Sequence, residues 1–129
     1  MALKDLIYEA EDRAQIVPVP TPEWPAVNGK LFIRQMSGQD RHDWEISAYD
    51  AQGQLKRDSL QARMVVATVV DETGGKVFDG EADVEKLSTK SIVPIQRLFD
   101  VAMKLNAVSQ SDIEEIVKNS LAIRSASGA

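Results

Sequence analysis

The stretch from Ser91 to Ala107 constrains the fold of this chain more than any other. Its apolar residues recur every three or four positions and therefore share one face of an α-helix: Ile92, Ile95, Leu98, Phe99, Ala102 and Leu105. Ser91 suits the N-cap, and Pro94 falls in the first turn, where a missing N–H breaks no intrahelical hydrogen bond. The pattern predicts an amphipathic helix about 25 Å long that needs a core to bury its apolar stripe.

Shorter helices are predicted on both sides of this stretch by apolar spacing and by capping residues. Ser37 followed by Asp40 resembles a capping box, and Ser111 followed by Glu114 matches one more fully. An acidic segment with Ala82, Val84 and Leu87 facing inward is also typical of a helix. These helices are predicted within the first dozen residues and over 38–49, 81–87 and 111–121.

A β-hairpin is predicted between the first two of these helices. The segment from Ala14 to Pro25 holds four of the five prolines, which exclude helix and confine any strand to the edge of a sheet. Asn28-Gly29 is a strong signal for a tight turn, and Lys30 to Met36 alternates apolar and polar residues. The proline-bearing strand is therefore expected at the exposed edge, where proline also blocks unwanted strand pairing.

The segment from Ser59 to Val70 allows two interpretations. Its β-branched residues favour a strand, whereas its length and the spacing of Leu60, Met64, Ala67 and Val70 favour a buried helix that Asp58 would cap. The residue pattern leaves both open. Two glycines in the following segment, 71–76, predict a turn.

Taken together, these elements predict an α+β protein, mostly helical, with an N-terminal β-hairpin. Residues 1–121 are expected to form a single domain and residues 122–129 a flexible C-terminal tail, since a chain of 129 residues suits one core. The net charge of −5 argues against a general nucleic-acid binder, and the absence of cysteine excludes disulfides and thiolate sites. Neither a signal peptide nor an apolar run long enough for a bilayer is present, so no membrane partner is expected.

Three groups of polar residues could carry chemistry, and each has a plainer interpretation. His42 lies between Asp40 and Asp43, but neighbours one and two positions apart on a helix do not face each other. The acids from Asp79 to Asp83 lack the spacing of a calcium loop, and Gly74-Gly75-Lys76 lacks the rest of a phosphate loop. No catalytic residue, metal site or cofactor is therefore predicted.

The sequence supports contact with other proteins somewhat better than it supports a catalytic or metal site. The first helix carries apolar residues that can pack on its own domain or on a neighbour, and Trp24 in the PEWP segment is a lid over the core or a partner contact, the lid being favoured. The edge of the hairpin is a second candidate for self-association. The candidate self-association or partner surface comprises Leu3, Leu6, Ile7, Trp24 and Phe32.

The order of features along the chain resembles that of the tail assembly chaperones of long-tailed bacteriophages, the family of the lambda-type minor tail protein made upstream of the tape measure. The resemblance covers nearly the whole chain to Asn119. It is carried by a short N-terminal helix, PEW at 22–24, KLFIR at 30–34 running into MSG at 36–38, RMVVATVVDE at 63–72, GKVF at 75–78, DVEKL at 83–87, IQRLFDVA at 95–102, LN at 105–106, SDIEE at 111–115 and KN at 118–119.

This resemblance implies a function without an active site. Such proteins coat the long helical tape measure protein in the host bacterial cytoplasm, keep it soluble, let tail tube subunits polymerise around it, and are absent from the virion. It further implies self-association into oligomers and a longer frameshifted product that recruits tail tube protein, and it favours helix for 60–70. The alternatives are a structural tail or head-tail joining protein, and a small enzyme or ligand-binding domain using His42.

Overall fold

The structure is a computed structural model that describes residues 2–13, 15–108 and 111–112. About half of these residues are helical and a small part lies in three short strands, which confirms the predicted α+β class with helix as its main component. A single 3₁₀ turn, Arg57–Ser59, precedes the third helix. The elements in chain order are α1 Leu3–Glu9, β1 Ile16–Pro18, β2 Phe32–Arg34, α2 Gly38–Ser47, α3 Leu60–Thr68, β3 Val69–Val70, α4 Gly80–Leu87 and α5 Ile92–Leu105.

The three strands form one small antiparallel sheet in the order β1-β2-β3. Val17 pairs with Ile33, which also pairs with Val69, so β2 is the central strand and β1 is the edge strand that carries Pro18. The predicted hairpin is therefore present, with proline at its edge. It is shorter than predicted, because each strand spans three residues and residues 19–31 form a long connection in which Gly29 takes a positive φ of 82°.

The third helix, α3, occupies the centre of the fold. Seven of its nine residues are buried, and it contacts α2, α4 and α5. After Thr68 the backbone becomes extended and continues directly into β3, so the ambiguous segment is a helix that ends as a strand. Burial on all sides explains the unclear pattern, because a fully enclosed helix has no polar face to set its period. The predicted cap at Asp58 is wrong, since that residue lies inside the 3₁₀ turn.

The long helix α5 closes the core against α3 and β2. Ile95, Leu98, Phe99 and Ala102 are buried, and the Ser91 hydroxyl accepts a hydrogen bond from the amide of Val93, as a capping residue does. The prediction that Ile92 faces inward is wrong. Its side chain is 59% exposed at the first position of α5, whereas Pro94 and Ile95 in the same turn are buried.

A side-chain clamp fixes the end of α5 to the chain that leaves β2. The Asn106 amide donates to the carbonyls of Ala102 and Arg34, and its Oδ1 accepts the Met36 N–H at 2.5 Å. Gln35 adds a bond from its side-chain amide to the carbonyl of Leu105. Three of these four bonds join segments about seventy residues apart in sequence, and the fourth, to Ala102, lies within the end of α5.

Helices α2 and α4 complete the layer around α3. The capping box at the start of α2 is confirmed: Ser37 Oγ accepts the Asp40 N–H, and the Asp40 carboxylate accepts the Ser37 N–H. On α4, Val84 and Leu87 face inward as predicted, but Ala82 is exposed, so that part of the prediction is wrong. Residues 113–121 of the predicted last helix and the predicted tail at 122–129 lie outside the described residues.

Candidate functional site

Helix α1 carries four of the nine large hydrophobic side chains that are exposed among the described residues. None of its residues is buried, and Leu3, Leu6 and Ile7, which share one face, are 79%, 51% and 66% exposed. Tyr8, on a neighbouring face, is 79% exposed as well. An isolated helix of seven residues is marginal in water, so a helix with this composition is typical of a contact segment rather than of a solvent-facing one.

The other two members of the candidate surface are placed differently. Trp24 is partly buried and packs against the hydrophobic core, as the lid interpretation predicts. Phe32 is partly buried in the central strand, between Pro18 on one side and Val70 on the other. The structure thus unites Leu3, Leu6 and Ile7 on one exposed helix and gives Trp24 and Phe32 neighbours within the domain.

The proline-rich connection that carries Trp24 is fastened to α5. The guanidinium of Arg97 donates two bonds of 2.8 Å to the carboxylate of Glu23 and one of 2.9 Å to the carbonyl of Pro20. The hydrogen bond from Arg97 is the main cause that lowers the pKa of Glu23 to about 2. Within the loop, Asn28 Oδ1 accepts the Thr21 N–H at 2.9 Å. Trp24 is therefore held over the core.

A cleft of about 330 Å³ opens between α2, α3 and the start of α4. Its volume is at the low end of the range of small-molecule pockets, roughly 300–1,000 Å³, so it has room for a few side chains. The floor is apolar and consists of Trp44, Val66, Ala67, Val70 and Val84.

Charged side chains line the walls of this cleft, and most of them are paired. The buried Arg63 forms a bidentate pair with Glu81, with one bond of 2.8 Å, and donates to Ser59 Oγ. The bond from Arg63 lowers the pKa of Glu81. At the rim, Arg13 in the connection after α1 donates to the Asp40 carboxylate at 3.0 Å.

Arg34 is the exception among these cations. Among the described residues, no carboxylate lies within 4.0 Å of its guanidinium, and its Nε is buried without a hydrogen-bond partner. The guanidinium lies over Gly74, where an added Cβ would collide with it. The indole N–H of Trp44 is also buried without a partner. Beside its apolar floor the cleft therefore holds a guanidinium without an ion-pair partner, while the Asp43 carboxylate in the same lining accepts from the neutral Gln39 amide.

The turn that supports Arg34 is built around one aspartate. Asp71 Oδ1 accepts the hydroxyl of Thr73 and the backbone N–H groups of Thr73 and Gly75, at 2.6 to 3.0 Å. The bond from the Thr73 hydroxyl is the largest cause that lowers the pKa of Asp71. Gly74 takes a positive φ of 84°, and Lys76 pairs with Val70 across the turn. The glycine pair thus serves a hairpin-like turn, the plainer of its two interpretations.

The acids near His42 and in the 79–83 segment have structural roles. His42 is exposed on α2, while the Asp40 carboxylate bonds to Ser37 and Arg13 and Asp43 Oδ1 accepts from Gln39. Asp83 accepts the backbone N–H of Asp79 at 2.7 Å, which closes the first turn of α4. No group of three or more possible metal ligands, and no helix able to span a membrane, occurs in the described part of the chain.

Neither Arg34 nor Arg63 was predicted from the sequence as a site residue. The residues around each of them did indicate the environment of its side chain. Arg34 alternates with the inward Ile33 in a strand, so it had to lie on the opposite face of the sheet. Arg63 stands inside an apolar segment, where a charge needs a partner. Comparison of the chain with protein-family models, with curated proteins and with solved structures found no match.

Proposed function

We propose that this protein is a bacteriophage tail assembly chaperone, which binds the tape measure protein in the host cytoplasm and keeps it soluble while the tail tube polymerises around it. The observation that carries the proposal is α1, an exposed apolar helix through which the copies of a coat can hold one another along the tape measure protein. An otherwise packed domain presents Leu3, Leu6 and Ile7 to solvent on one helical face. The order of sequence features that resembles this family is a second, separate support.

Several physical properties suit such a role. A coat on a long amphipathic rod needs weak, repeated contacts, because the tube must later displace it. A short exposed helix offers a contact of that strength. The net charge of −5 helps many crowded copies to stay in solution. The carboxylates beside His42 are engaged elsewhere, so the enzyme alternative gains no support from the geometry.

The test is co-expression with the product of the very long reading frame expected next to the gene. We expect the tape measure protein to move from the insoluble to the soluble fraction and to co-purify with this chain. The triple variant Leu3→Ser, Leu6→Ser, Ile7→Ser should lose most of that effect, because it removes the apolar face without touching a buried residue. The matched control is Ile46→Ser, an exposed apolar side chain on α2.

Two outcomes would overturn the proposal: a tape measure protein that stays insoluble with this chain present, or this chain found at stoichiometric amounts in purified virions. The second result would favour a structural tail or head-tail joining protein.

The proposed longer product, which would recruit tail tube protein, is tested separately by searching the gene for a slippery heptamer and an overlapping frame.

A further inference from the structure

We infer that the cleft between α2, α3 and α4 is the acceptor for helix α1 of a second copy of this chain, so that copies associate head to tail. This inference deepens the proposed function and rests on it for the expectation that copies associate. It joins two features that the isolated domain leaves unexplained. One is an apolar helix with no buried residue, and the other is an apolar cleft with an unmatched arginine.

The cleft selects for a segment that is both apolar and acidic. Its floor takes aliphatic side chains, while Arg34 has no carboxylate within ion-pair distance among the described residues. A partly buried guanidinium without such a partner gains one or two charge-assisted hydrogen bonds when a carboxylate arrives. The buried indole N–H of Trp44 likewise has no hydrogen-bond acceptor in this region.

Helix α1 has that composition. Leu3, Leu6 and Ile7 form its apolar face, and Glu9 lies three residues after Leu6, at the edge of the same face. Residues 3–12 carry a single lysine against four acids, which are Asp5, Glu9, Glu11 and Asp12. The helix and the cleft therefore complement each other in both polarity and charge. We assign Glu9 as the partner of Arg34.

The geometry favours a second copy over the chain's own cleft. Arg13, which follows α1, is tied to Asp40 at the rim of that cleft, and with this tie in place the apolar face of α1 remains exposed. A donor helix at one place and an acceptor cleft at another make a heterologous contact, which leaves one donor and one acceptor free after each addition. Such contacts grow into open chains or rings.

The size of the contact implies weak binding. A stable interface buries about 800 Å² on each partner, and the apolar face of a seven-residue helix falls well short of that area. Head-to-tail association should therefore depend on protein concentration. It should also weaken with salt, because the Arg34–Glu9 pair lies at the edge of the contact.

The test uses one variant disabled in the helix and one disabled in the cleft. Leu6→Asp places a charge on the exposed face of α1, and Arg34→Glu reverses the charge in the cleft. By sedimentation velocity, the unaltered chain should form species larger than dimers as concentration rises, and each variant alone should stay monomeric. An equimolar mixture of the two variants should form a complex of two chains and no larger, since one intact helix meets one intact cleft.

Other outcomes overturn the inference. If Arg34→Glu alone still dimerises, the contact is between like surfaces; if the mixture stays monomeric while each variant is folded, the cleft is not the acceptor. Folding is checked by circular dichroism and urea unfolding.

Lys76→Glu, at an exposed position on the cleft rim, provides a second cleft variant and should raise the dissociation constant about tenfold. The charge swap Arg34→Glu with Glu9→Arg should restore association.

Failure here is distinguishable from failure of the proposed function. If the tape measure protein is kept soluble but the mixing experiment fails, the function stands and this interface is wrong. If the mixing experiment succeeds but the tape measure protein precipitates, the interface stands and the chaperone proposal is wrong.

Discussion

Helices α1 and α5 have the same kind of sequence and opposite surroundings. Both place apolar residues at intervals of three and four, but Leu98 of α5 is fully buried while Leu6 of α1 is 51% exposed. The difference lies in what meets each face. Helix α5 packs on α3 and β2, whereas no residue of α1 is buried by the domain. The amphipathic pattern therefore predicted a helix in both places. The helix whose apolar face stays uncovered, α1, is the candidate contact surface.

The test with the largest expected effect replaces one leucine on each helix by alanine. Leu98→Ala should lower the free energy of unfolding by about 2–5 kcal/mol, because it leaves a cavity in the core. Leu6→Ala should change it by less than about 0.5 kcal/mol. Urea unfolding at low protein concentration measures both. Similar losses for the two variants would show that α1 packs on its own domain.

The Asn106 clamp explains why α5 is held and provides the next largest effect. Asn106→Ala removes three hydrogen bonds and leaves the amide of Met36 without its partner, so we expect a loss of about 1–3 kcal/mol. Lys104→Ala, two residues earlier at an exposed position, is the control and should be nearly neutral. An unchanged unfolding midpoint for Asn106→Ala would mean that packing alone holds the end of α5.

A smaller effect is expected from the ion pair that ties the proline-rich connection to α5. The pKa of Glu23 is lowered from 4.5 to about 2, so its contribution to stability is complete above pH 4.5 and is lost as the pH falls toward 2. The difference in unfolding free energy between the unaltered chain and Arg97→Gln should therefore shrink between pH 5 and pH 2. A difference that stays constant over this range would contradict the assignment.

The smallest effect on stability should come from removing α1 altogether. A chain starting at Glu11 keeps Arg13 and its pair with Asp40, and it loses no buried residue. Its unfolding free energy should match that of the longer chain within about 0.5 kcal/mol. Its sedimentation coefficient should no longer rise with concentration. A less stable shortened chain would indicate that α1 supports the fold.

Much of the fold was predictable because its signals are local. The capping box at Ser37 and Asp40, the proline at the sheet edge and the long apolar stripe of α5 each follow from neighbouring residues. Only a part of the candidate site could be predicted from the sequence. The exposed residues of α1 were named, but the cleft and Arg34 were not, since they arise where α2, α3 and the 71–76 turn meet.

The sequence by itself determined where α1, α2, α4 and α5 form, the capping box of α2 and the position of proline at a sheet edge, because backbone sterics and hydrogen bonding act over a few residues. Only the tertiary structure decided that α3 ends in a strand, that α5 is covered and that α1 is not. Burial depends on contacts between residues far apart in the chain, and the same apolar spacing is compatible with a core helix and with an exposed one.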